Sequence, residues 1–214
     1  MQAPPPASIC ELLVCLVLSL LPLALSAQDE QRTALDFLRD PSWSYGFQLY
    51  GGTATMATPR IPHAPGRYPS SFGAQLHFGR VLTGEHGEGW RRGTLEWDFN
   101  DVPVTLFFVN GRQYYMGGLE AVSPRWNFTR VSKRMVPFLG FDGGMLFGPD
   151  KFPAGDTSRT NFTAALDGGA HIFTKRRQSF DTTIRLYHLS NADTGHYNPG
   201  VPLSIQLMLG YTWF

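Results

Sequence analysis

Beyond residue 15 the chain contains no cysteine, and its two cysteines, Cys10 and Cys15, both fall within the first 27 residues. Once those residues are removed, the remainder needs no disulfide and carries no thiolate chemistry. Strong charge is missing as well: 18 Lys and Arg stand against 17 Asp and Glu, a formal net charge of +1. No basic run or basic helix occurs, so nothing marks a nucleic-acid partner. There is no Gly-x-Ser-x-Gly elbow, no His-Glu-x-x-His and no phosphate-binding glycine loop. His188 and His196, with one carboxylate nearby, are too sparse a set for a metal centre, and no cofactor is expected.

What is present is aromatic residue at 14%, 23 glycines and a long succession of alternating segments. Residues 1–27 read as a secretory signal: Leu12 to Leu25 is apolar apart from Cys15, Ser19 and Pro22, and Leu25-Ser26-Ala27 is a small-residue cleavage site. Its n-region carries Glu11 and no Lys or Arg. A lipoprotein signal ending at Cys15 is the competing reading, but Leu12-Leu13-Val14 lacks the small residues that such a site needs. Residues 28–42 are expected to be a periplasmic segment without chemistry, with Leu35 and Leu38 on one face of a short amphipathic turn or helix.

From Trp43 to Phe214 the pattern is strand after strand. Tyr45, Phe47 and Leu49 alternate with small or polar residues, as do Phe72, Ala74, Leu76 and Phe78, and Leu95, Trp97 and Phe99. The apolar stretch Val102 to Val109 reads either as a packed loop or as a strand extension. A fourth strand lies within Gly117 to Arg130, where Pro124 demands a bulge or an edge. A fifth carries Met135, Leu139 and Phe141, followed by an expected loop from Gly148 to Arg159. A sixth sets Asn161, Thr163, Asp167 and His171 opposite Phe162, Ala164, Leu166 and Ile172. The eighth places Val201, Leu203, Ile205, Leu207, Leu209, Tyr211 and Trp213 on one face.

Eight strands, most about as long as the roughly 9–11 residues a tilted strand needs to cross a bilayer, close a barrel without edges. Periodicity alone does not separate a soluble barrel, apolar inside, from a membrane barrel, apolar outside. Three features favour the membrane: the secretory signal, aromatics near strand ends (Trp43, Trp90, Trp126, Tyr187, Tyr211, Trp213) and the terminal aromatic strand ending on Phe214. The expectation is an all-β, eight-stranded antiparallel outer-membrane β-barrel over 43–214. Arg185, Asp181, Asp167, Glu96, Asp98, His77 and His171 then point inward as a charge-paired network.

The seventh strand carries the chemistry. Phe180, Thr182, Ile184, Leu186, His188 and Ser190 share one face, so an imidazole and a hydroxyl stand at i and i+2 at the end of a mostly apolar stripe. A serine hydroxyl becomes a useful nucleophile when a nearby imidazole takes its proton. The next residue, Asn191, carries an amide that could donate to an oxyanion. A bare His-x-Ser is a common strand terminus, and Asn191-Ala-Asp-Thr-Gly reads equally as an Asx turn. A catalytic pair facing lipid makes sense when the substrate is itself a lipid.

His188-Leu-Ser190-Asn191-Ala192, followed by Asn198 and Gly200 before the last strand, resembles the signature of the outer-membrane lipid A 3-O-deacylases of the PagL type. The resemblance is closest from Arg185 onward and architectural before that. It implies a serine esterase on an eight-stranded barrel that cleaves the 3-linked acyl chain of lipid A in lipopolysaccharide at the bacterial outer membrane, embedded as a monomer or homodimer. His188 would be the base and Ser190 the nucleophile. The family's triad acid is a Glu shortly after Asn-x-Gly, and Pro202 stands there in this chain. Asp193 is the expected replacement that orients His188, with Asn198, Ser204 and Gln206 as further candidates. A barrel of the same fold that is inactive, structural or lipid-holding is the alternative, and a soluble lipid-binding barrel is a third.

Overall fold

The computed structural model describes residues 34–56, 68–132, 134–152 and 157–214. The expected signal segment and most of the proline-rich loop after the first strand lie outside the described residues. A short helix, α1 (Ala34–Arg39), precedes eight strands: β1 (Trp43–Ala54), β2 (Ser70–Val81), β3 (Thr94–Val109), β4 (Arg112–Asn127), β5 (Met135–Phe152), β6 (Ser158–Lys175), β7 (Gln178–Ser190) and β8 (Val201–Trp213). Each pairs with its sequence neighbours, all antiparallel, and β8 pairs back onto β1 to close the barrel. Closure leaves no backbone edge unpaired, which is what a bilayer demands of a sheet.

The faces point as a membrane barrel requires. Leu139, Leu166 and Ile184 are each 60% exposed, with Phe47, Leu49, Phe72 and Leu207 also exposed around the wall. Gln48, Gln75, His77, Glu96, Asp98, Glu120, Asp142 and Asp167 are buried in the lumen. A soluble barrel would show the reverse.

Expectations for individual strands hold with revisions in β3, β4, β5 and β8; β4 begins at Arg112, ahead of the expected Gly117. The stretch Val102 to Val109 is strand: β3 runs through it to a tight turn at Asn110-Gly111, whose φ angles of 49° and 73° suit a two-residue primed hairpin. The loop expected from Gly148 to Arg159 is shorter, because β5 extends to Phe152 and β6 starts at Ser158. Val201 leaves the outward face expected of the last strand and lies in the lumen core. Its inversion comes from a slip of the β7–β8 ladder, in which Tyr187 pairs with Ser204 but Leu189 pairs with Val201. One extra residue on a strand flips every side chain beyond it. Pro124 is accommodated by a similar slip just before it, where the β3 ladder moves between Asp98 and Asn100 and Trp97 Nε1 donates to Ala121 O at 3.0 Å.

The lumen is filled in three layers. At the rim that holds α1, taken as the lower one, Leu35, Phe37 and Leu38 pack on Val81, Val136 and Phe214, and Thr94 Oγ1 donates to Leu38 O at 2.6 Å. The middle is polar. Arg185 grips Asp167 with Nε to Oδ1 at 2.9 Å and Nη2 to Oδ2 at 2.8 Å, reaches Glu120 at 3.1 Å and also donates to Asp142. Arg125 holds Asp98 at 2.7 Å. The upper layer is apolar: Phe107, Phe152, Tyr114, Met116, Leu146 and Leu189 pack there, with Phe107 and Phe152 ring centroids 4.6 Å apart. Below the lower rim, on the β2–β3 connection, Glu85 accepts from Thr129 Oγ1 at 2.6 Å and meets Arg130, Arg92 and Arg39 at 3.0, 3.1 and 3.2 Å. Burial alone would raise its pKa, but the Thr129 hydroxyl and the three guanidinium groups together hold it below the usual carboxylate value.

Three outcomes are expected. Arg185→Ala leaves Asp142, Asp167 and Glu120 facing one another without their shared cation, and should cost about 3–5 kcal/mol in urea unfolding from detergent micelles. Ile184→Arg should destabilise the barrel by about 2–4 kcal/mol, since position 184 is near mid-strand on the lipid face, and Arg at Leu186, closer to the rim, by less. Glu85→Gln should lower the unfolding midpoint at neutral pH. A depressed folded pKa means that the carboxylate's contribution exists above its unfolded pKa and fades as pH falls through the folded one, so wild type and variant should draw together as the pH falls below the ordinary glutamate value.

Candidate active site

The strand β7 delivers the site by simple alternation. Leu189 is fully buried in the upper core, and this anchors the strand end. Its neighbours on either side, His188 and Ser190, therefore turn to the outer wall, His188 exposed and Ser190 half-buried. Across β6, His188 faces Ala164 and Ser190 faces Phe162, so the floor beside the pair is apolar. Both residues stand at the upper rim, at the top of the stripe formed by Phe180, Ile184 and Leu186.

Beyond Ser190 the chain makes a sharp turn. Ala192 and Asp193 have φ angles of 48° and 59°, and Thr194 N–H donates to Asn191 O at 3.0 Å, a primed β-turn built without glycine at its two centres. Asn191 organises it. Its backbone N–H donates to Asn198 Oδ1 at 3.0 Å, its Oδ1 accepts from Asp193 N–H at 3.0 Å, and its Nδ2 donates to Tyr197 O at 2.8 Å. The amide expected to serve an oxyanion is thus buried and committed to folding the loop. The Asx-turn reading of this segment describes its geometry.

His188 Nδ1 has a partner other than the expected orienter. Asp193 is exposed on the turn, and its backbone N–H is bonded to the Asn191 side chain. Asn198 is taken by Asn191, Ser204 is buried on the lumen side, and Gln206 donates inward to Ser71 Oγ at 3.1 Å. His188 Nδ1 instead lies 3.0 Å from the backbone oxygen of Pro202. A carbonyl only accepts, so this contact requires the proton on Nδ1 and leaves the lone pair on Nε2. Among the described residues no hydrogen bond joins His188 to Ser190; in substrate-free enzymes such contacts often close only in the complex. Residue-type reasoning overlooked the Pro202 oxygen because a backbone acceptor has no side-chain signature. The available signal was a proline near the start of a strand and opposite a histidine, one of the places where a bulge occurs.

A second Ser, His and Asp grouping lies in the lumen. His171 Nδ1 and Ser179 Oγ each sit 2.7 Å from Asp181 Oδ1. There the carboxylate stands between the other two rather than behind the imidazole, and all three are buried, so the grouping is structural. Among the described residues no group of three or more His, Cys, Asp or Glu side chains is placed to hold a metal ion.

The family model of the lipid A 3-O-deacylases (PagL) matches residues 67–212. Among solved structures, the outer membrane enzyme PagL superposes with a TM-score of 0.51 at 13% identity, over 79% of this chain and 99% of that one. Neisserial surface protein A (NspA) gives a TM-score of 0.51 at 12% identity, over 81% of this chain and 97% of that one. At such identities these two are likenesses of fold. No curated protein sequence matches the chain.

Gly200 closes the loop at φ 46°, and a Cβ there would meet Leu189 O at 2.4 Å. Gly200→Ala should therefore strain the turn by at least about 1–2 kcal/mol. Amides of Leu189 to Asn191 should exchange roughly tenfold faster in hydrogen-exchange mass spectrometry, while peptides from β3 to β5 remain unchanged.

Proposed function

The chain belongs to the PagL lipid A 3-O-deacylase family of the bacterial outer membrane, and on that premise we propose that it is a serine esterase hydrolysing the 3-O-linked acyl ester of lipid A in the outer leaflet. The observation that carries this reading is the placement of His188 and Ser190 on the lipid-facing wall at the upper rim, inside the matched region. An ester at the base of an acyl chain sits at that depth while the chain lies along the apolar wall below.

The steps are those that the groups present can perform. Ser190 Oγ attacks the ester carbonyl carbon, and its proton passes to His188 Nε2. The tetrahedral intermediate collapses, the C–O bond to the sugar breaks, and His188 returns the proton to the departing 3-hydroxyl. Water then attacks the acyl-serine with His188 as base, releasing the fatty acid and restoring the hydroxyl. Phe162, Leu186 and Ile184 provide the apolar bed for the chain. Asn191 holds the turn that ends the strand, and Asp193 belongs to the same turn. The substrate is the lipid itself, and no cofactor enters any step.

A second reading, an inactive barrel of the same fold, is favoured by one observation: among the described residues no carboxylate is bonded to His188. The experiment that separates the two is incubation of refolded protein with lipopolysaccharide, followed by mass spectrometry of the lipid A and of the released fatty acid. The expected result is loss of one acyl chain from lipid A. Ser190→Ala and His188→Ala should each abolish the release while the protein still migrates as a folded barrel on unheated gels. Because the two residues act as one unit, the double variant should be no worse than either single. Full activity in Ser190→Ala contradicts the serine mechanism.

A further inference from the structure

The β7–β8 ladder is broken at one place. Tyr187 pairs with Ser204 and Leu189 with Val201, so Pro202 and Leu203 together stand against His188 alone. This is the two-against-one count of a β-bulge. Proline is suited to it, because residue 202 then has no N–H to leave unpaired in the ladder. The carbonyls of the two bulged residues have different fates. Leu203 O turns to β1 and accepts from Thr55 N–H at 2.9 Å, whereas Pro202 O takes His188 Nδ1 at 3.0 Å. The side chain of His188 thus occupies the gap that the bulge opens beside it. From β6 its register partner is Ala164, and from β8 the bulge itself, so no charged side chain is paired with it from either neighbouring strand.

We propose that the Pro202 backbone carbonyl is the positioning group of His188, filling with a neutral acceptor the place where the family pattern has a carboxylate. The inference rests on the serine-esterase reading for its consequence in catalysis, but the contact itself does not. Holding Nδ1–H fixes both the tautomer and the ring plane, so that Nε2 is the basic nitrogen on the side available to Ser190. A carbonyl does this half of a triad acid's work. It does not supply the negative charge that stabilises the imidazolium formed during attack. The bulge therefore has two effects: it inverts Val201 into the core and turns a main-chain oxygen outward to the imidazole.

The test has a structural arm and a kinetic arm. Refolded wild type labelled with 15N-histidine is compared with His188→Ala by NMR, which assigns the His188 ring signals. The expected spectrum at neutral to alkaline pH is the Nδ1–H tautomer. A predominant Nε2–H tautomer, or an averaged pair of shifts, overturns the proposal whether or not the protein deacylates anything. The kinetic arm uses Pro202→Glu, which returns a carboxylate to the position. If Pro202 O is the positioning group, the plateau kcat should rise in this variant, because a carboxylate at that place adds the charge that a carbonyl lacks. A plateau kcat no higher than wild type in a folded, active Pro202→Glu variant also overturns the proposal. Absence of fatty-acid release from both proteins sinks the esterase reading instead and leaves the tautomer measurement to decide the contact.

Discussion

Every N–H and C=O that crosses a bilayer must find its partner within the protein, since hydrocarbon offers none. A strand can meet that demand only by pairing on both sides, and a sheet only by closing on itself. The eight strands here do so, and the rest of the structure depends on it. Once the ladder is complete, side chains alternate between lumen and lipid with period two, and each residue's surroundings are decided by its parity. Wherever a proline or an irregular step interrupts the ladder, the parity of the residues beyond it changes. The sites of slippage are therefore also the sites where side chains are re-aimed, and the one beside His188 is the most consequential.

The lumen shows what the inverted polarity requires. Closing a narrow barrel around polar residues forces charges together, and Arg185 answers by serving Asp167, Glu120 and Asp142 at once. Such a cluster contributes little net energy compared with an apolar filling, but it is costly to break. Above it the apolar layer around Phe107 and Phe152 seats Leu189, and a buried Leu189 obliges its neighbours His188 and Ser190 to face outward. His188 and Ser190 are thus held by core packing through one intervening residue. The partner group of His188 arrives from β8 by a fault in the ladder. Neither device uses a charged side chain on the lipid face, where an unpaired charge is expensive.

Much of this was legible in the residues. Alternation in Leu95, Trp97 and Phe99, and in Phe180 through Ser190, marked strands and their outward faces directly. The inward placement of Arg185, Asp167, Asp181 and Asp98 came from the same period. What alternation could not convey was the position of the slips. Val201 reads as one more outward residue of β8 until the two-against-one step at Pro202 is known. Val102 to Val109 read as loop or strand with equal right, because Pro103 interrupts it and nothing local says that the ladder slips there and resumes at Thr105. For the site, residue types pointed to His188, Ser190, Asn191 and Asp193. The Asn191 side chain and the Asp193 backbone N–H also build the turn, a use that residue types alone did not convey. A backbone oxygen as the partner of His188 was out of reach of any reading by side chain.

The central claim is that His188 and Ser190 stand on the lipid-facing wall near the outer rim and not in the lumen. Its most direct measurement is a nitroxide scan of β7 in bilayers. Residues 28–214 contain no cysteine, so single cysteines at 184 through 190 can be labelled one at a time. Labels at 184, 186, 188 and 190 are predicted to relax strongly with oxygen dissolved in lipid. Those at 188 and 190 should also begin to meet a water-soluble nickel reagent, while 185, 187 and 189 are shielded from both. Oxygen accessibility at 185, 187 and 189 with silence at 188 and 190 would place His188 and Ser190 inside the barrel and contradict the claim.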